Sequence, residues 1–124
     1  MAGLTLDAGA LIAYERGDAR VREILRVAFD RGLVPTVPSV VVAEVWRGGA
    51  RSARTARLLK ACTIEVLDER LAREAGELLG MVGGAHTVDA CVAAGTRRRD
   101  DALVTSDAGD MRPLLLPSQV LLDV

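Results

Sequence analysis

Five short apolar runs, Gly3 to Leu6, Leu33 to Val37, Ile64 to Leu67, Ala102 to Thr105 and Gln119 to Leu122, are separated by stretches with helical spacing and never by a tight hairpin turn. Antiparallel neighbours need only a two-residue turn, whereas parallel neighbours need a crossover of about a dozen residues or more, usually a helix. The alternation therefore predicts an α/β fold, a three-layer α/β/α arrangement around a mainly parallel central sheet. Pro35 within the second run points to an edge strand or an irregular one. The helical patterns carry their own punctuation. Ala10, Leu11 and Tyr14 precede a stop at Gly17, and Asp18 caps a helix with Val21, Ile24, Leu25, Ala28 and Phe29 on one face. Pro38-Ser39 opens a helix through Trp46 that Gly48-Gly49 interrupts, and Arg51 to Ala61 continues helically. Asp68 caps a helix from Glu69 to Val82, and Thr87 to Arg98 forms another.

At 124 residues the chain is read as one domain, 1–124. Roughly two-thirds of its unfolded surface can be buried at this size, so a core forms without disulfides or structural metal. Half the residues are hydrophobic and the net charge is -1, which excludes disorder and argues against indiscriminate polyanion binding. Of 16 basic residues only Lys60 is a lysine. The densest apolar stretch, Val40 to Ala43, is stopped by Glu44, so no membrane-spanning helix is expected. The amino terminus has no basic segment leading into an apolar one, and a cytoplasmic protein is the expectation. Cys62 and Cys91 have no metal-binding spacing and read as free thiols.

Ligands of open α/β sheets bind beyond the carboxyl ends of the strands. Asp7 ends the first strand and Asp107 the fourth, with Asp110 one turn later. Glu44 and Asp89 lie within otherwise apolar helical stretches. Each acid has a plain structural reading: Asp7 and Asp107 as helix caps, Glu44 on a solvated edge, Asp89 in a first turn where a carboxylate suits the helix dipole. Together on one rim, however, they repel unless protonated or neutralised by cations. A hard divalent ion such as Mg²⁺ or Mn²⁺ takes carboxylate oxygen without histidine or cysteine, and such a site suits phosphodiester hydrolysis. No phosphate-binding Gly-x-x-x-x-Gly-Lys loop and no nucleophile elbow is present. His86 reads as a surface or loop residue first and a substrate contact second.

The segments Leu4 to Tyr14, Val42 to Gly48, Val88-Asp89-Ala90 and Leu103 to Asp107 resemble, in order and spacing, the motifs of PIN domains, and most of all those of VapC toxins from bacterial toxin-antitoxin pairs. The resemblance covers essentially the whole chain. It implies a Mg²⁺- or Mn²⁺-dependent endoribonuclease with Asp7, Glu44, Asp89 and Asp107 as an acidic quartet and Asp110 as an occasional fifth metal ligand. Thr105 matches a hydroxyl that orients an acid or a water. Asp7 and Asp107 on one metal, with Glu44 and Asp89 on a second metal or its waters, is the expected division. Two positions depart from the family pattern: Gly9 where Ser, Thr or Asn is common, and Met111 where an aromatic is common. The resemblance further implies a homodimer, a VapB-type antitoxin and a tRNA or ribosomal RNA target.

Arg47, Arg51, Arg54 and Arg57 follow Glu44, and Arg97-Arg98-Arg99 form a second cluster. Their plain reading is a solvated surface, and their functional one is phosphate positioning on RNA, expected for Arg47, Arg51 and Arg97. With Tyr14, Phe29 and Trp46 as the only aromatics, base-stacking platforms are nearly absent, which favours recognition of RNA by shape. A response-regulator receiver is disfavoured because the one lysine lies before the third strand. A PIN-fold module that binds RNA or protein without turnover is the alternative from another class.

Overall fold

A computed structural model describes residues 3–124. Five strands, β1 (Leu4–Leu6), β2 (Thr36–Pro38), β3 (Thr63–Glu65), β4 (Ala102–Thr105) and β5 (Leu121–Asp123), form one sheet in the order β3-β2-β1-β4-β5. Every neighbouring pair is parallel. The crossovers carry α1 (Ala8–Glu15), α2 (Ala19–Asp30), α3 (Ser39–Val45), α4 (Ala53–Lys60), α5 (Glu69–Met81), α6 (Thr87–Arg99) and the short α7 (Ala108–Met111).

Both faces of the sheet are covered. Along β1, Leu4 faces the α2 side with Ile24 and Ala28, while Thr5 receives a hydrogen bond from Arg99 of α6 on the opposite face. Alternation of side chains along a strand requires those helices to lie on opposite sides, which gives the expected three layers. All three β1 residues and all four of β4 are buried, as central parallel strands must be. The apolar stripe of α2 places Val21, Leu25 and Ala28 in the core, and Asp18 caps that helix by accepting from the amides of Arg20 and Val21. Asp68 caps α5 through the amide of Leu71 at 2.8 Å.

Several boundaries differ from the sequence reading. β2 is interior, not an edge: Pro35 lies just before it, and its carbonyl, the group a proline retains, accepts from the Thr63 amide at 2.9 Å. β3 ends at Glu65, because Leu67 turns away to donate to Ser39 Oγ at 3.2 Å. The expected helix from Arg51 divides into a 3₁₀ turn, Gly49–Ser52, and α4, with Ser52 Oγ accepting from the amides of Arg47 and Gly48. The last strand begins at Leu121. Gln119 is instead a buried link that donates to the carbonyls of Thr96 and Asp101 and accepts from Leu116. α7 was not expected, since four residues are too few to show a period.

Candidate active site

β1 sends its crossover towards β2, and β4 sends its own towards β5, so the strand order reverses between β1 and β4. A crevice opens at such a point beyond the strand ends. Asp7 follows β1 directly, its amide still bonded to Val104 of β4 at 3.2 Å. Asp107 follows β4 after Ser106, and α7 brings Asp110 round by one turn. Asp89 enters from the first turn of α6.

Oxygens of Asp89, Asp107 and Asp110 lie within 4.8 Å of one another. Asp7 adjoins this group without belonging to it, close enough for its charge and that of Asp89 to act on each other. Its carboxylate caps α1 by accepting from the Ala10 amide at 3.0 Å, so the cap reading and the site reading both describe the same residue. Asp107 makes no such cap bond, which leaves its side chain to the cluster. Glu44, exposed in the last turn of α3, is not in the three-carboxylate group, and Asp110, the optional member by sequence, is. Periodicity could place Glu44 on a helix but not show where that helix points.

The electrostatics follow from the crowding. Burial raises the Asp7 carboxyl above its ordinary value, against the opposing effects of the Thr105 hydroxyl and the amides of Ala10 and Gly9. Burial also raises Asp89; the His86 charge lowers it and Asp110 raises it. Asp107 is raised first by a hydrogen bond shared with Asp110, then by burial and by the charges of Asp110 and Asp89. A proton shared between carboxylates is what such a group adopts when no cation balances it. Thr105, fully buried, accepts from the Asp107 amide at 2.9 Å and acts on Asp7, so one hydroxyl ties both strand-end acids together.

His86 lies at the surface, as the sequence reading expects. It is the exposed N-cap residue of α6 and stands near both Asp89 and Asp107. The sequence signal of that nearness was its spacing, three residues before an acid at a helix start, which sets the two on neighbouring positions of the first turn. The arginines separate into two kinds. Arg47 and Arg51 are exposed, whereas Arg97 donates to the Leu114 carbonyl at 3.2 Å, eight residues along α6 from Asp89. Arg98 pairs with Glu74, and Arg99 is bound inside the fold.

A donor set made only of carboxylate oxygen fits a hard divalent cation and offers nothing to a soft one. The family model of the PIN domain matches residues 4–112. The chain belongs to the PIN domain family. This PIN domain also resembles solved structures over nearly its full length. A toxin-antitoxin complex from Klebsiella pneumoniae matches with a TM-score of 0.74 and 17% identity, covering 95% of this chain and 100% of that one. VapBC2 from Rickettsia felis, bound to a DNA fragment from its promoter, matches with a TM-score of 0.71 and 16% identity, covering 98% of each chain. DNA-bound VapBC from Salmonella typhimurium matches with a TM-score of 0.69 and 17% identity, covering 99% and 98%. At these identities the likeness is one of fold. A comparison with curated proteins returns no match.

Proposed function

We propose that this PIN domain is a metal-dependent endoribonuclease of the VapC toxin kind, with Mg²⁺ or Mn²⁺ held by Asp89, Asp107 and Asp110. The observation that carries this reading is the group of three carboxylates within 4.8 Å at the point where the strand order reverses. Such an ion supplies Lewis-acid charge to phosphodiester hydrolysis. The protein's own contribution is positioning. Thr105 and the α1 amides fix Asp7 beside the group, where its carboxylate orients water and accepts a proton. His86 stands beside the acids at the start of α6. Exposed Arg47 and Arg51 are placed by this reading on phosphates of the RNA, and Glu44 on water at the margin of the site.

The similar solved structures are toxin-antitoxin complexes, which supports a VapB-type antitoxin as the partner of this chain; a homodimeric assembly and a cytoplasmic compartment are part of the same proposal. Among the described residues no helix is long and apolar enough to cross a membrane. A tRNA or ribosomal RNA loop is the proposed target class.

The test is incubation of the purified protein with total RNA in Mg²⁺ or Mn²⁺ against EDTA, with new 5′ ends read by sequencing. Discrete metal-dependent cuts are expected, reduced by about a hundredfold or more in Asp89→Asn. Metal-independent binding of RNA without cuts, unchanged in Asp89→Asn, favours a binding module over an enzyme.

A further inference from the structure

α1 begins at the acidic rim, where Asp7 caps it, and runs away from that rim to Arg16, its C-cap residue. Two grooves flank the helix. Gly9, Ile12, Ala13 and Arg16, at i, i+3, i+4 and i+7, form one stripe of α1 along the first groove, with Ser106 of the loop after β4 as part of its other wall. Leu11, Ile12, Glu15 and Arg16 line the second, with Arg51 and Thr55 in its other wall. Ile12 and Arg16 are common to both and so form the ridge between them. The acids themselves do not line the first groove, but its near end is made by their chain neighbours, since Gly9 directs its amide at the Asp7 carboxylate and Ser106 directly precedes Asp107. Arg16 stands seven residues from Gly9, about 10 Å along the helix axis.

The charged groups of the two grooves differ in what they already hold. Both acids in the walls are engaged within the protein: Asp18 accepts from the amides of Arg20 and Val21 at 3.0 Å, and Glu15 accepts from the Thr55 amide at 2.7 Å and the Thr55 hydroxyl at 2.8 Å. Arg16 and Arg51 are exposed, and among the described residues neither takes part in a salt bridge. A free guanidinium presents a planar fork that matches a phosphate. Ile12, 42% exposed, is the one exposed large apolar side chain among the described residues of the grooves. A docked protein helix needs a row of apolar anchors, so a single isoleucine between cations suits a sugar-phosphate strand instead. We propose that the RNA strand leading away from the acidic rim lies along this ridge, with phosphates on Arg16 and Arg51 and a nucleoside packed on Ile12. The proposal deepens the nuclease reading above and rests on it. Arg16 belongs to neither arginine cluster of the sequence, and only the fold brings it to a groove with Arg51.

The test measures binding of a labelled oligouridine in EDTA, where no cut intervenes, over a range of salt, and cleavage of total RNA in Mn²⁺. Arg16→Ala should bind oligouridine roughly three- to tenfold more weakly at about 0.1 M salt, with the slope of log affinity against log salt shallower by about 0.7. With Arg51→Ala added, the slope should be shallower by about 1.4. Arg16→Lys keeps the wild-type slope, since the charge remains. Ile12→Ala weakens binding at an unchanged slope, because it removes a contact without a charge. Arg70→Ala, on α5, changes neither quantity. A slope in Arg16→Ala equal to that of the wild type, or one reproduced by Arg70→Ala, overturns the proposal. Wild-type protein that holds no oligouridine even at low salt overturns it too and leaves the ridge to a protein partner. Cleavage decides the reading beneath. Metal-dependent cuts made as fast by Arg16→Ala as by the wild type, at limiting RNA, refute the ridge alone. Absence of such cuts in the wild type refutes the nuclease, and the oligouridine slopes then decide the ridge by themselves.

Discussion

The two ends of α6 hold charged groups under opposite rules. At the carboxyl-terminal end, Arg99 donates to Asp101 at 2.9 Å and to Thr5 at 2.8 Å, and it also pairs with Glu65. Thr5 in turn donates to Asp101 at 2.8 Å. Three charged side chains and a hydroxyl so close a network that Asp101 is 4% exposed. At the amino-terminal end Asp89 meets Asp107 and Asp110, and among the described residues no salt bridge reaches any of the three. Between them Ala90 to Thr96 are all buried, so one helix carries a cluster balanced in part by a cation, Arg99 against Asp101 and Glu65, and one left unbalanced. The first arrangement suits a structural role, and the second is the one the proposed metal site requires, at a cost in stability.

Arg99→Ala tests the balanced end and carries the largest expected effect. Removing the cation strands Asp101 and Glu65 inside the fold, a loss of about 3 kcal/mol. Thermal denaturation should show Tm lower by about 10 °C, with Mn²⁺ affinity of the folded protein unchanged. A Tm equal to that of the wild type would remove the distinction between the two ends.

At the unbalanced end the sign reverses. Asp7, Asp89 and Asp107 all hold protons more tightly than the ordinary value of 3.8. Their contribution to stability is complete below that value and lost as pH rises through their folded pKa values, so near neutral pH the metal-free cluster works against the fold. A cation competes with those protons. Mn²⁺ titrations from neutral pH downward should show affinity falling before the ordinary carboxylate range is reached, by up to tenfold per pH unit for each proton displaced. Affinity constant down to that range would mean that Asp89 and Asp107 do not bind the ion.

Asp7→Asn gives the smallest shift and the sharpest contrast. Asparagine caps a helix about as well as aspartate, so the α1 cap survives while a strained charge is removed. The metal-free Tm should rise by about 2–4 °C while Mn²⁺-dependent cleavage falls. A fall in both, measured on the same preparation, would assign Asp7 to the balanced kind.

Much of this arrangement was legible in the chain. Parallel topology followed from missing hairpin turns, and Asp18 and Asp68 announced their helices because capping is a local matter of one side chain and the next three amides. The acids at the ends of β1 and β4 were legible because each apolar run breaks off at or just before a carboxylate. What escaped depended on distance through space. That Asp110 lies within the three-carboxylate group is a matter of how α7 folds back after β4, which no spacing records. Arg99 stood in a run of three arginines, and only the folded chain shows that it reaches strand β1 across 94 residues.

The sheet order has a consequence in time. β1 is the first strand made, yet it lies at the centre and gains its second neighbour only with β4, residues 102–105. The carboxylate trio closes later still, when Asp110 has left the ribosome. At synthesis rates of about 5–20 residues per second, roughly 5–20 s pass between the appearance of Asp7 and that of Asp110. Throughout that interval the acidic group is incomplete, so whatever chemistry the assembled rim performs is withheld from the machine that is making it.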